Sequence, residues 1–174
     1  HMKAFDEGFN QRLAASQVLA DYIQNNISEN IIVAGDFNDE IDDPENDNSL
    51  WPLVEDQNSY FTTTPIAGDN YYNSFPWGMY ASFIDHVLIS AELFDENMLS
   101  GEIQTLRIDD YTGSSTYQYH ISDHRPVLWK ISIDVIDMST GLVINEIMNN
   151  PVSVTDSYGE WFEVTNTSIE TINL

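Results

Sequence analysis

Three short polar clusters in the sequence contain the residue types that proton transfer and metal binding use. They are "GDFND" with Asp36 and Asn38, "IDH" with Asp85, and "SDH" with Asp123 and His124. Histidine titrates near neutral pH and aspartate is a hard oxygen ligand, so such residues can act as a general base or hold a divalent cation. Each cluster alone is a weak signal, because an aspartate after a glycine is more often a turn residue. Their meaning depends on whether the fold brings them into one cleft.

A helix and a strand are predicted before the first cluster. The helix is predicted over residues 9–27, because apolar residues recur there at spacings of three, four and seven along one stripe. The members of that stripe are Phe9, Leu13, Ala20, Ile23 and Ile27. The stretch "NIIVAGDFND" then predicts a short buried strand that runs into a turn at its glycine. A helix followed by a strand indicates an α/β layer.

The segment from Asp39 to about Tyr80 is polar, aromatic and rich in turn residues, which predicts long surface loops with one short helix near residues 50–54. Its acidic part, residues 42–47, lacks the ligand spacing of an EF-hand, so a solvated loop is favoured over a Ca²⁺ site. Its aromatic residues could stack nucleobases or pack within the loop, and the packed loop is favoured. These residues are Tyr71, Tyr72, Phe75, Trp77 and Tyr80.

The second cluster lies on a predicted strand, "SFIDHVLIS", whose side chains alternate between two faces. The alternation places Asp85 on the opposite face from His86, which is therefore interpreted as a structural histidine. The residues that share the face of Asp85 are Phe83, Val87 and Ile89.

The third cluster also adjoins a predicted strand. "EIQTLRI" predicts one strand, and a Gly-Ser-Thr-Tyr loop follows, in which His120 is expected at the surface. "ISDHRPVLWKISI" predicts a second strand, with Pro126 at its beginning because proline has no N–H to donate to a sheet. The polar residues thus lie at strand ends, where loops from different elements meet.

The composition excludes several classes of protein. Five Lys and Arg against twenty-nine Asp and Glu give a net charge of −24 and a pI near 4.1, so no basic patch can hold nucleic acid by neutralising its phosphates. A phosphodiester substrate would need bound cations to mediate the contact. The absence of cysteine excludes disulfides and thiolate metal sites. No apolar run is long enough to span a bilayer, and no signal peptide precedes the first predicted element.

Taken in order, "VAGDFND", "SFIDHVLIS" and "SDHRPV" resemble the C-terminal half of the endonuclease/exonuclease/phosphatase superfamily, which has the DNase I-like fold. The resemblance implies that residues 1–134 form the C-terminal half of a four-layer α/β sandwich. It implies metal-dependent phosphodiester hydrolysis, with an extracellular endonuclease acting on DNA or RNA favoured. The alternatives are a sphingomyelinase or phosphatase of the superfamily, or a binding scaffold without catalysis. The Trp-Cys-Asp-Arg run of inositol phosphatases is absent, and the intact polar residues argue against a scaffold.

The resemblance also implies a role for each polar residue. His124 matches the histidine that binds the phosphate or activates water, Asp85 matches the carboxylate that orients it, and we favour this pair as the base. Asp36 and Asn38 match the pair that positions the nucleophile and the scissile phosphate through a divalent ion. Asp123 matches a carboxylate at the metal, so Asp36 and Asp123 are the expected ligands. The expected cofactor is Mg²⁺, with Mn²⁺ or Ca²⁺ as alternatives.

The opening stretch, "HMKAFDEGFNQR", raises the question of whether His1 is native. A His-Met pair is typical of what an expression vector leaves behind. In the superfamily, however, a segment like "HxK" ends a strand and precedes a helix bearing Arg, as Lys3 and Arg12 do here. The resemblance therefore favours His1 as a second catalytic imidazole and general acid. Its glutamate partner, a metal-binding Glu and a catalytic Asn belong to the N-terminal half of the family fold, so the chain alone is expected to be inactive.

The character of the sequence changes near residue 135. Residues 135–141 are predicted as a linker, and residues 142–174 contain short β-prone runs with turn signals, which predicts the truncated start of an all-β sandwich. "LVINEIMNNP" and "GEWFEVTN" resemble the beginning of a lamin-tail domain, an immunoglobulin-like module often attached to secreted bacterial nucleases. The resemblance implies a secreted or cell-surface location and a binding or anchoring role. This tail is expected to be poorly ordered.

Overall fold

The computed structural model describes residues 1–4, 8–132, 142–148 and 161–166. They belong to two units, His1–Ser132 and Ile133–Leu174, and all three polar clusters lie in the first. The described part of the first unit is mixed α/β with two small antiparallel sheets. The predicted linker, residues 135–141, lies outside the described residues, and the boundary at residue 134 stays a prediction. Within the described ranges, no helix combines the length and the apolar character that crossing a membrane requires.

The first helix, α1, runs from Phe9 to Asn25 and confirms the predicted helix, with an end two residues earlier. Its buried face differs from the predicted apolar stripe, because Ile27 lies beyond the helix and is exposed. In addition, the polar side chain of Arg12 occupies the buried face of the helix, because it forms hydrogen bonds with other segments. Its guanidinium donates hydrogen bonds to the hydroxyl of Ser49 at 3.0 Å and to the carbonyl of Lys3 at 2.8 Å. The buried positions of the helix are Arg12, Ser16, Ala20 and Ile23.

Three strands form the sheet that carries two of the polar clusters. They are β1 (Ile32–Asp36), β2 (Ser59–Phe61) and β3 (Asp85–Ser90), in the order β1-β3-β2 with both pairs antiparallel. The prediction that β1 is buried is wrong, since Ile32 is 51% exposed and no residue of the strand is fully buried. The reason is packing: Val33 is the residue of β1 that packs against the apolar core, whereas the side chains of Ile32 and Ala34 are exposed.

Strand β3 separates two apolar clusters. Leu88 packs into the larger cluster, whereas Val87 and Ile89 pack into a smaller one, so the predicted alternation is confirmed along the strand. Phe83 is an error in that prediction. It packs in the larger cluster with its ring centroid 5.3 Å from that of His86, because regular strand geometry begins only at Asp85.

Between β1 and β3, the short helix expected near residues 50–54 is α2 (Trp51–Val54). The helix α3 (Thr64–Ala67) and the strand β2 were not predicted. Because β2 has three residues and its partner is β3, no local pattern marks it. Short 3₁₀ turns complete this region, at Glu45–Asp47, Asn70–Tyr72 and Gly78–Tyr80.

The third polar cluster lies shortly before the last strand of the second sheet. This sheet consists of β4 (Glu102–Thr105) and β5 (Val127–Lys130), which pair antiparallel, and the helix α4 (Phe94–Ser100) precedes it. Both strands were predicted. Pro126 lies directly before β5, where its missing N–H removes no hydrogen bond from the sheet pairing.

The predicted Gly-Ser-Thr-Tyr loop between these strands is wrong. Two short helices, α5 (Asp109–Thr112) and α6 (Ser114–His120), occupy this region. Gly113 separates them with a φ of +85°, a conformation that glycine adopts without a Cβ clash. The small residues around this break read as a loop, whereas the helices are stabilised by their contacts with each other and with the body of the unit. His120 is exposed, as expected.

The second unit contains β6 (Leu142–Met148) and β7 (Trp161–Asn166), which pair antiparallel with a register shift between Ile144 and Glu146. Both strands lie in runs that the sequence marks as β-prone. The remainder of residues 142–174, where poor order was expected, lies outside the described residues. The immunoglobulin-like sandwich stays a prediction.

Candidate active site

Strands β1 and β3 bring the first two polar clusters together. Their antiparallel register pairs Asp36, the last residue of β1, with Asp85, the first residue of β3. The N–H of Phe37 donates to the carbonyl of Ile84 at 2.8 Å, which extends the pairing beyond the strands. Both carboxylates therefore lie at one end of the sheet, and both side chains are mostly buried.

His124 reaches the same place from the second sheet. Its backbone N–H donates to Oγ of Ser122 at 3.0 Å, and its carbonyl accepts a hydrogen bond from the hydroxyl of the buried Tyr117 at 2.9 Å. The imidazole Nδ1 then lies 2.6 Å from Oδ2 of Asp85. The fold thus joins the two residues of the predicted dyad, which are 39 positions apart in the chain. Their catalytic roles stay a prediction.

The contact defines how the imidazole of His124 can take part in proton transfer. The hydrogen bond with Asp85 raises the pKa of His124, because the carboxylate stabilises the imidazolium. An ionised carboxylate only accepts hydrogen bonds, so Nδ1 carries the hydrogen and Nε2 is the nitrogen that can take up a proton. Among the described residues, no hydrogen bond engages Nε2.

The turn after β1 fixes Asn38 beside Asp36. The backbone N–H of Asn38 donates to Oδ1 of Asp36 at 2.8 Å, and its side-chain amide donates to the carbonyl of Met2 at 3.0 Å. Asn38 has a φ of +53°, a left-handed conformation that asparagine tolerates better than most residues. Burial raises the pKa of Asp36 and the charge of Asp85 adds to the rise, although the hydrogen bond from Asn38 opposes it.

The first residues of the chain lie against this turn. Nδ1 of His1 is 3.1 Å from Oδ2 of Asp36, and the N–H of Met2 donates to the Asp36 carbonyl at 2.8 Å. The His1 side chain is 72% exposed, so solvent or a substrate can reach it. The structure therefore places His1 at the cluster, while its role as a general acid stays a prediction.

Three of the predicted residues form a potential cation site. Asp36, Asp85 and His124 each offer one ligand atom, and these atoms lie within 4.8 Å of one another. Two carboxylates suit a hard cation such as Mg²⁺ or Mn²⁺, and the charge repulsion that helps raise the pKa of Asp36 would be relieved by a cation. The donor set therefore fits the expected cofactor. No other group of this kind occurs in the described part of the chain, including its acidic loop at residues 42–47.

Asp123 is not a member of this group. Its side chain is exposed, and its backbone carbonyl accepts a hydrogen bond from Nε1 of Trp77 at 2.5 Å. The negative charge of Asp123 contributes to the raised pKa of His124. Its assignment as a metal ligand stays a prediction.

Most of the first unit matches a known protein family. The family model of the endonuclease/exonuclease/phosphatase family matches residues 6–124, a range that contains Asp36, Asp85 and His124. The chain belongs to the endonuclease/exonuclease/phosphatase family. No curated protein and no solved structure gives a significant match. The mixed α/β fold with its small antiparallel sheets is consistent with part of the fold of this family.

Several residues that support the candidate site have no signal in the sequence. Tyr117 and Ser122 hold the backbone of His124, and the ring of Phe75 lies 5.4 Å from the imidazole, centroid to centroid. Tyr117 belongs to α6, whose sequence predicts a loop, so no sequence pattern indicates that its side chain is buried. Only the three-dimensional contact identifies such residues.

His86 faces away from the site. Its ring is hydrogen-bonded to the hydroxyl of Thr63 at 2.8 Å and to the carbonyl of Asp39 at 3.0 Å. Burial lowers the pKa of His86 to about 4, so the ring is neutral at physiological pH. A neutral ring that joins two segments of the core agrees with the structural interpretation made from the sequence.

For the aromatic residues after position 70, the sequence left open whether they stack on nucleobases or pack within the loop. Tyr72 packs against the core and Trp77 binds the carbonyl of Asp123. Tyr71 stacks beneath the guanidinium of Arg107, whose carbon lies 4.2 Å from the ring centroid. Tyr80, by contrast, is 75% exposed. The segment is therefore mainly packed, with an exposed tip.

Proposed function

We propose that the protein is a divalent-metal-dependent phosphoester hydrolase and, more narrowly, an endonuclease that cleaves phosphodiesters in DNA or RNA. The observation that carries the proposal is the 2.6 Å contact between Nδ1 of His124 and Oδ2 of Asp85, directly beside Asp36. A carboxylate-oriented imidazole next to a further hard ligand is the set that activation of a hydrolytic water requires. Family membership supports the hydrolase class.

In this proposal His124 removes the proton of the attacking water through Nε2. Asp85 holds the Nδ1–H tautomer and stabilises the imidazolium that forms. The raised pKa of His124 makes the ring a stronger base but reduces its neutral fraction near pH 7. The rate is therefore expected to rise with pH as the imidazolium loses its proton.

Asp36 and Asp85 would hold the cation, with Asp123 as a further proposed ligand and Mg²⁺ as the preferred ion. When bound, the cation supplies positive charge to the oxygens of the phosphate. Asn38 is proposed to orient the scissile phosphate, because the turn fixes it beside Asp36. His1 is proposed to protonate the leaving oxygen, a role for which its exposure and its 3.1 Å contact with Asp36 are suitable.

The charge of the protein restricts how a nucleic acid can bind. The chain carries a net charge of −24, and the guanidinium groups of its three arginines already form contacts within the protein. Arg125 is paired with Asp109, and Arg107 is paired with Asp110. The chain therefore offers little cationic charge for neutralising phosphates, and the contact is proposed to run through bound cations.

The second unit is proposed to belong to a lamin-tail-like binding or anchoring module, and the protein is proposed to act in the medium or at the cell surface. The support is the similarity of "LVINEIMNNP" and "GEWFEVTN" to such modules, together with the pairing of β6 and β7. Fractionation of cells that express the native gene tests the location. Recovery of the protein only inside the cell would contradict it.

The function is tested by hydrolysis assays on the full-length gene product with and without Mg²⁺. The substrates are DNA, RNA, sphingomyelin vesicles, bis(p-nitrophenyl) phosphate as a simple diester and p-nitrophenyl phosphate as a monoester. We expect metal-dependent cleavage of DNA or RNA and of the simple diester. Preference for sphingomyelin or for the monoester would replace the endonuclease proposal with another activity of the family. Absence of hydrolysis on all five would overturn the hydrolase proposal.

A further inference from the structure

Ser74 forms hydrogen bonds with the backbone of two segments, the one that carries Asp85 and the one that carries His124. It is fully buried. Its Oγ accepts hydrogen bonds from the N–H groups of Ile84 and Asp85, both at 3.1 Å, and its carbonyl accepts one from the N–H of Arg125 at 2.7 Å. One buried serine thus connects the segment that carries the carboxylate with the segment that carries the imidazole.

Such a connection matters because Asp85 lies in one sheet and His124 lies shortly before a strand of the other sheet. Asp85 begins β3 and His124 precedes β5, and no strand pairing joins the two sheets in the described part of the chain. A side-chain contact of 2.6 Å across that boundary depends on how the sheets are held together. A relative displacement of about 1 Å would lengthen it beyond the range of a hydrogen bond.

The neighbours of Ser74 contact the same segment. The carbonyl of Asn73 accepts a hydrogen bond from Nη1 of Arg125 at 3.4 Å, and the ring of Phe75 packs beside the imidazole of His124. Residues 73–75 therefore touch the His124 segment in succession, while only Ser74 also reaches Asp85. The hydroxyl is the part of this connection that a substitution can remove, because the backbone carbonyl is retained in every variant.

We propose that Ser74 is a positioning residue that sets the distance and the orientation of Asp85 relative to His124. The inference rests on the proposed function only for the catalytic role of the pair. The contact between Asp85 and His124 itself does not depend on that function. Removal of the hydroxyl leaves the N–H groups of Ile84 and Asp85 without their acceptor. The start of β3 then shifts, and Asp85 no longer holds the Nδ1–H tautomer of His124.

Ser90 provides a matched control at the other end of the same strand. It is also fully buried, its Oγ accepts from the N–H of Ile31 at 2.9 Å and donates to the carbonyl of Glu29 at 2.7 Å. Ser90→Ala therefore removes comparable buried hydrogen bonds from β3 without touching the pair. A general loss of stability will affect both variants, whereas loss of positioning will affect only Ser74→Ala.

The test is a long-range ¹H–¹⁵N NMR spectrum of the histidine rings in this chain, with His124 assigned by the missing signals of His124→Gln. We expect His124 to be the Nδ1–H tautomer in the unchanged chain and in Ser90→Ala, and a tautomer mixture in Ser74→Ala. Ser74→Thr, which keeps the acceptor oxygen, should restore the original spectrum. Thermal unfolding should show a similar loss of Tm for both alanine variants. Should Ser74→Ala not fold, Ser74→Cys makes the same comparison, because it keeps the volume but weakens the acceptor.

An unchanged His124 spectrum in Ser74→Ala, or an equal change in Ser90→Ala, would overturn the proposal. In an active full-length protein, Ser74→Ala should lower kcat on the order of tenfold with little change in KM, since the pair acts in the chemical step. If that protein hydrolyses no phosphoester, the proposed function fails while the NMR result still decides the role of Ser74.

Discussion

Asp36 lies directly opposite Asp85 in the antiparallel pairing of β1 and β3. Like charges that face each other across a sheet destabilise it by up to about 1 kcal/mol. The cost is visible in the raised pKa of Asp36, which burial causes first and the charge of Asp85 increases. Both carboxylates belong to the potential cation site, so a bound cation would relieve this repulsion at the expense of a less stable metal-free protein.

Asp36→Asn should therefore separate stability from metal binding. Removing one of the facing charges should raise the Tm of the metal-free chain slightly, whereas the increase in Tm caused by Mn²⁺ or Mg²⁺ should disappear. Thermal unfolding with and without the ion measures both effects. Asp21→Asn, an exposed carboxylate on α1, is the control and should keep the metal-induced increase. A metal-induced shift of unchanged size in Asp36→Asn would exclude Asp36 as a ligand.

His124→Ala should lower kcat/KM on DNA or on a simple diester by about 10²- to 10⁴-fold, the usual contribution of a general base. His120→Ala is the matched control, because His120 is exposed at the end of α6 and has no contact with the cluster. Steady-state assays of the full-length gene product measure the effect, with circular dichroism to show that both variants fold. Near-normal activity of His124→Ala would rule out the proposed base.

Two adjacent aspartates on α5 should have very different effects on stability. Asp109 and Arg125 form a buried ion pair with two hydrogen bonds, at 2.9 and 2.6 Å, whereas Asp110 pairs with Arg107 at the surface. Asp109→Ala leaves a buried guanidinium unpaired, which costs about 3–5 kcal/mol. Asp110→Ala should leave the urea midpoint unchanged within error, because exposed pairs contribute little. Equal midpoints for the two variants would contradict this assignment.

His86 should make the chain sensitive to acid. Its pKa is about 4 in the folded state and near 6.5 when unfolded, so the folded state binds fewer protons between these values. Stability should therefore fall as the pH is lowered from about 6.5 to about 4, by up to roughly 3 kcal/mol. His124, whose pKa is raised, has the opposite sign: its contribution is present below the unfolded pKa and is lost as the pH rises through the folded value.

Urea unfolding at pH 7 and pH 5 measures this dependence. His86→Gln keeps groups that can bond to Thr63 and Asp39 but does not titrate, so its stability should fall less between the two pH values. His120→Gln, at an exposed position, should retain the dependence of the unchanged chain. The same loss of stability in His86→Gln as in the unchanged chain would show that another group causes it.

Local sequence signals predicted the elements that depend on local chemistry. The period of α1, the alternation along β3 and the position of Pro126 before β5 all follow from side-chain spacing or from a missing N–H. The errors occur where partners from elsewhere decide. The apolar residues of β1 predict a buried strand, but its exposure depends on which side chains other elements cover, and in β1 that is Val33. The sequence of α6 predicts a loop, because the stability of this helix comes from contacts such as those of the buried Tyr117.

The sequence by itself determined the family and the candidate residues at its polar clusters, Asp36, Asn38, Asp85 and His124. The tertiary structure added the 2.6 Å contact between Asp85 and His124, which the resemblance only implied, and the hydrogen bonds by which Ser74 connects the two segments. The physical reason is the separation along the chain of the residues that interact. Spacing along a chain governs helix and strand periodicity, whereas a 2.6 Å contact between residues 39 positions apart depends on packing that no local pattern encodes.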